Sequence, residues 1–106
     1  MAAKLSANEN PVYITTPPGT VVLEPVDIVW DTDGNFPGEL YLAINGGGAM
    51  RVGGGTRTGK LTMNVSLGNS YLFMLRHVNT TPNLATLTVT VVDLEQALID
   101  SSIGSL

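Results

Sequence analysis

The chain has 106 residues, 43% hydrophobic and only 13% charged. That size suits one domain, and the charge content is too low for a disordered chain or a long solvated helix. Five Lys and Arg against nine Asp and Glu give a net charge of −4. The cations Lys4, Arg51, Arg57, Lys60 and Arg76 are scattered, which argues against a nucleic-acid partner. The absence of cysteine excludes disulfides, thiolate metal sites and thiol nucleophiles.

Taken in chain order, alternation with period two dominates. Val12-Tyr13-Ile14-Thr15 predicts a first short strand, stopped by Pro17-Pro18-Gly19. Val21-Val22-Leu23 follows and is interrupted by Pro25, a residue that fits an edge, a bulge or a strand start. Val26, Ile28 and Trp30 then alternate with Asp27, Val29 and Asp31, giving a strand with one apolar face. Asp33-Gly34-Asn35 and Pro37-Gly38 mark the next turn. Residues 39–44 place Leu40, Leu42 and Ile44 on one side, with Tyr41 on the other. Asn45-Gly46-Gly47-Gly48 predicts a hairpin turn, since Asn-Gly tolerates the positive φ of type I′. Residues 49–52 return as a short strand, and Gly53-Gly54-Gly55 reads as a mobile closing turn.

Leu61, Met63 and Val65 alternate again, and Tyr71, Phe73 and Leu75 form the next inward row. Residues 84–92 make the last strand, with Ala85, Leu87, Val89 and Val91 facing in and Thr86, Thr88 and Thr90 facing out. The count is seven strands at short spacing, the pattern of an all-β sandwich. The inward registers predict a core built on Trp30, Leu40, Leu42, Tyr71, Phe73, Leu87 and Val89. Beyond the last strand, Leu94, Ala97 and Leu98 recur at i, i+3, i+4, and Asp93 with Gln96 forms a capping-box pattern. A short amphipathic helix is expected there, marginal unless the sandwich or a partner holds it.

Val26-Asp27-Ile28-Val29-Trp30-Asp31-Thr32 resembles the second strand of a fibronectin type III domain. Leu67-Gly68-Asn69-Ser70-Tyr71-Leu72-Phe73 resembles the tyrosine corner of the same family. The closing run Leu-Ala-Thr-Leu-Thr-Val-Thr-Val-Val resembles its last strand. Asn8-Glu9-Asn10-Pro11-Val12 is similar to the lead-in of bacterial immunoglobulin-like modules. The resemblance spans residues 7–93 and departs from the family at Leu67, where a proline is common. It implies an immunoglobulin-like, fibronectin type III-like, seven-stranded antiparallel β-sandwich over residues 1–93, followed by a tail over 94–106. It also implies that the Tyr71 hydroxyl bonds back to the backbone.

Residues with chemical potential each have a plainer role. His77 is the only histidine and has no nucleophile or orienting acid at a telling spacing. Asp31, Asp33 and Asn35 imitate the start of a calcium loop, but the twelfth position, which needs a bidentate acid, is Leu42. A turn stabilised by Asp and Asn side chains is the stronger reading. Neither glycine run has the lysine or the following helix of a phosphate loop. Arg51 and Arg57 flank the second run, where they would suit an acidic partner. Trp30, Tyr41, Tyr71 and Phe73 would stack on sugar only if exposed, and Trp30 and Phe73 fall on inward registers, so carbohydrate is the weaker alternative.

The expectation is therefore a non-enzymatic module without cofactor or bound metal. It would contact a protein partner or neighbouring subunits, with no nucleic acid and no membrane insertion, since no stretch reaches the about 18 apolar residues of a span. The first reading places it in a bacterial surface or secreted protein. The second is a virion surface protein such as a capsid decoration, suggested by the initial methionine, the lack of an export signal and the tail. In that case Leu94, Ala97, Leu98 and Ile99 would form a docking stripe.

Overall fold

An alternating strand carries one apolar face, and a sheet of such strands must bury that face against another layer. The computed structural model describes residues 3–15, 22–79 and 82–94 and solves this with two packed sheets. Eight strands are formed: β1 (Lys4–Ala7), β2 (Val12–Ile14), β3 (Leu23–Asp31), β4 (Gly38–Ile44), β5 (Met50–Thr56), β6 (Thr58–Ser66), β7 (Ser70–His77) and β8 (Asn83–Asp93). One sheet has the order β1-β3-β6 and the other β2-β8-β7-β4-β5. The all-β, two-layer architecture thus follows the alternation in the sequence.

The finer expectations need correction. Among the described residues there are eight strands rather than seven, because Lys4–Ala7 pairs with β3. Lys4-Leu5-Ser6-Ala7 does alternate, with Leu5 and Ala7 packed against the core, but four residues are too short a run to mark a strand by pattern alone. The sandwich is not wholly antiparallel: β2 runs parallel to β8, Val12 opposite Val91. The Asn10 side chain pins this pairing, its Nδ2 donating to Thr88 O at 2.9 Å and its Oδ1 accepting from Thr90 N at 3.3 Å. Pro25 does not split the chain either. β3 runs through it in continuous register with β6. The β1 pairing covers only Ile28 to Asp31, so at Pro25 that flank of β3 has no ladder to break.

Gly53-Gly54-Gly55 lies inside β5 instead of closing it. Gly54 and Gly55 have φ of +127° and +86°, and the register against β4 shifts twice along this strand pair. These are bulges, for which positive-φ glycine is suited. The hairpin before it has Asn45 and Gly46 at φ +54° and +77°, the two positive values a type I′ turn requires. Gly47 N closes it on Ile44 O at 3.0 Å.

The core fills the space between the sheets. Trp30, Leu40, Leu42, Tyr71, Phe73 and Val89 are buried within it, and Leu87 is half-buried against it. Ile28, Leu75 and Val65 complete its centre, all at 0% exposure, consistent with the alternating registers. Trp30 reaches across the layers. Its Nε1 donates to Thr56 O at 3.2 Å, so the β3 side chain fastens the end of β5 in the opposite sheet.

At the β6–β7 turn, the Tyr71 hydroxyl accepts the Ser66 backbone N–H at 3.0 Å. Asn69 Nδ2 donates to Ser66 Oγ at 2.8 Å. Asn45 ties the neighbouring hairpin to the same turn, its Nδ2 donating to Asn69 Oδ1 at 2.8 Å and its Oδ1 accepting from Ser70 N at 2.7 Å. Tyr71→Phe removes one acceptor and leaves its ring in place. The expected loss is about 0.5–1.5 kcal/mol, the net worth of one hydrogen bond, read as a lower urea midpoint with unchanged slope.

Candidate interaction surface

Strand pairing, rather than any sequence motif, assembles a polar cluster on the outer face of the five-stranded sheet. On β4, Glu39 and Tyr41 face away from the core because Leu40 and Leu42 face into it. Register places Tyr41 opposite Arg51 of β5 and Met74 of β7, and Glu39 opposite Arg76, which in turn faces Asn83 of β8. The outer face of the five-stranded sheet therefore collects side chains from four strands.

Their contacts are specific. The Tyr41 hydroxyl donates to Glu39 Oε2 at 2.6 Å. The Arg76 guanidinium lies 4.6 Å from the centroid of the Tyr41 ring, a cation–π arrangement. Arg76 Nε donates to Asn83 Oδ1 at 2.9 Å, and its Nη2 reaches Met74 Sδ at 3.8 Å. Met74 is only 6% exposed despite its outward register, and the Arg76 head lies against its sulfur. Arg51 Nε stands 3.9 Å from Glu39 Oε2, with its own side chain 56% exposed. Such a pair contributes little to stability, so Arg51 keeps its charge available to solvent. The hydrogen bond to Glu39 raises the Tyr41 pKa above its ordinary value, with smaller contributions from desolvation and the Glu39 charge. Tyr41 thus keeps its proton, and its role as donor, throughout the physiological range. Two arginines and one carboxylate leave this face cationic on a chain whose net charge is −4.

A second feature is a cleft of about 380 Å³ lined by Asp31, Asp33, Gly34, Asn35, Arg57 and Thr58. The Asp31–Asn35 run is a turn: Asp31 Oδ1 accepts the Asp33 N–H at 2.8 Å, and Asp33 sits at φ +56°. Thr32, 3% exposed, turns its hydroxyl toward Phe36 O at 3.0 Å. Arg57 Nη1 donates to Asn35 Oδ1 at 3.4 Å. Among the described residues no three His, Cys, Asp or Glu side chains are grouped to hold a metal ion. Asp31 Oδ1 is engaged by the backbone and Asn35 Oδ1 by Arg57.

Arg51 and Arg57 serve different features, the first meeting Glu39 on the sheet face and the second Asn35 in the cleft. His77 pairs its ring with Phe36 at 4.5 Å, and its Nδ1 lies 2.9 Å from Val78 O. Trp30, Tyr71 and Phe73 are buried, so no aromatic platform forms from the four candidates, and Tyr41 is occupied by Arg76. Leu94 is 37% exposed; Ala97, Leu98 and Ile99, with the expected tail helix, lie outside the described residues.

The sequence reading missed Glu39, Met74, Arg76 and Asn83 as a group. The only available signal was their outward register, and which strands lie side by side is not written in that register. Comparisons with protein-family models, with curated proteins and with solved structures return no match.

Proposed function

We propose that the chain is a non-catalytic, immunoglobulin-like, fibronectin type III-like module that acts as a structural and protein-binding unit of a bacterial surface or secreted protein. The strand order carries this reading. If β1 and β2 are the two halves of a divided first strand, the sheets read first-second-fifth against seventh-sixth-third-fourth, the arrangement the resemblance implies. The Tyr71 hydroxyl on the Ser66 amide, at the turn before the sixth strand, fits the tyrosine corner of such sandwiches.

The binding role rests on the outer face of the five-stranded sheet. A cationic patch with one exposed arginine, a stacked Arg76–Tyr41 pair and a buried methionine beneath is suited to an acidic protein surface. Arginine and tyrosine are the residue types enriched at the energetic centres of interfaces.

The test displays the chain on bacterial cells as the passenger of an export fusion. Cells are expected to be retained on immobilised acidic proteins, with retention falling as salt rises, and not on cellulose, chitin or xylan. Retention on a polysaccharide that Tyr41→Ala abolishes would replace this reading with a carbohydrate-binding one.

A further inference from the structure

A sheet edge presents unpaired N–H and C=O groups, and proteins blunt their edges with short strands, proline, charge or bulges. The four edges here are treated unequally. β1 has only four residues, and β2 has three residues preceded by Pro11. β5 is broken by its positive-φ glycines and two register shifts. β6 has nine residues, no proline, one charge and an unbroken register with β3. It ends its sheet, and among the described residues no strand pairs with its other side.

The strand is also self-complementary. Its outward row is Thr58, Lys60, Thr62, Asn64 and Ser66, all small or polar apart from the one lysine. Its inward row includes Leu61 and Met63, which remain half-buried although they face the core. Thr62 is the middle of the nine residues. A twofold axis at Thr62 sets Thr62 against the partner's Thr62, Lys60 against the partner's Asn64 and Leu61 against the partner's Met63. Apolar pairs are favourable cross-strand combinations, and the Thr62 hydroxyl, which donates to Asp27 Oδ1 at 2.6 Å, sets only its small, uncharged side chain against its counterpart. An axis at Lys60 would instead oppose two lysines and shorten the pairing.

We propose that β6 is a self-association edge, along which two copies of this chain pair antiparallel about Thr62 and join their three-stranded sheets into one. Such an interface is isologous, and each copy closes the other's free edge. A sequence-tolerant peptide would not need this match between the two halves of the strand. This inference is independent of the outer-face binding reading, since it uses the other sheet.

Sedimentation velocity over a concentration series tests it. The unaltered chain is expected to pass from monomer to dimer as concentration rises. Asn64→Lys places a positive charge opposite the partner's Lys60 and should weaken association by about tenfold or more. Lys60→Glu combined with Asn64→Lys converts the repulsion to attraction and should restore it. Ser6→Lys, on the β1 edge, should change nothing. Amide exchange on the unaltered chain gives a readout free of any variant: alternate β6 amides should become protected as concentration rises. A chain that stays monomeric throughout would overturn the proposal. So would a dimer indifferent to Asn64→Lys, equally weak in the double variant, or broken by Ser6→Lys.

Discussion

Trp30→Ala is expected to destabilise the chain by about 3–5 kcal/mol, the range for truncating a large buried aromatic. The indole is 5% exposed and belongs to the central cluster. Its removal opens a cavity between the sheets, because β3 and the end of β5 are fixed by their own ladders and cannot close onto the space. The Nε1–Thr56 bond is lost as well, and with it the side-chain tie from β3 to the end of β5. Stability of the whole domain is of the order of 5–15 kcal/mol, so the variant should lie near the edge of folding. Urea unfolding followed by far-UV circular dichroism reads the effect. A midpoint unchanged from the parent chain would mean that the ring is not between the sheets.

Gly59→Ala is expected to cost about 1–3 kcal/mol, as overpacking in a filled core does, although it adds a single methyl group. A Cβ at this position would collide with Trp30 Cζ2 and stand 2.6 Å from Cη2, far inside contact distance. Gly59 is the β6 residue directly opposite Trp30, and the ring occupies the space a side chain there would take. The two substitutions share one cause, so they should not add. In the Trp30→Ala background the added methyl enters vacated space, and the cost of Gly59→Ala should shrink or reverse. Additive losses would show that the glycine matters for its backbone alone.

These two residues also show how far the sequence can be read. Trp30 was legible as core because Val26, Ile28 and Trp30 share one register while Asp27 and Asp31 hold the other, despite the apolar Val29 among them, and the same logic located Leu40, Leu42, Phe73 and Val89. Gly59 was not legible: nothing in Thr-Gly-Lys marks it as the floor of a tryptophan, since that depends on β3–β6 pairing across 29 residues of chain. Gly53 to Gly55 misled for a related reason. Three glycines in a row usually mark a turn, but here bulges opposite β4 accommodate them within a strand. The outer-face cluster was hidden in the same way. Glu39 and Tyr41 are two residues apart and visibly outward, but Arg76 comes to them only because β7 pairs with β4. β1 alternates over only four residues, too few to stand out in the sequence, and its place is set by pairing with β3.

The central claim is the proposal that the chain binds through the outer face of its five-stranded sheet rather than through its cleft. The most direct measurement compares the displayed parent chain with the Arg51→Ala, Arg76→Ala double variant, recording retention on immobilised acidic protein together with the unfolding free energy of each purified chain. The claim predicts lost retention with a stability loss of no more than about 2 kcal/mol, the scale of one hydrogen bond and one exposed cation–π contact at Arg76. Full retention by a folded double variant would contradict it and move the binding site off this face.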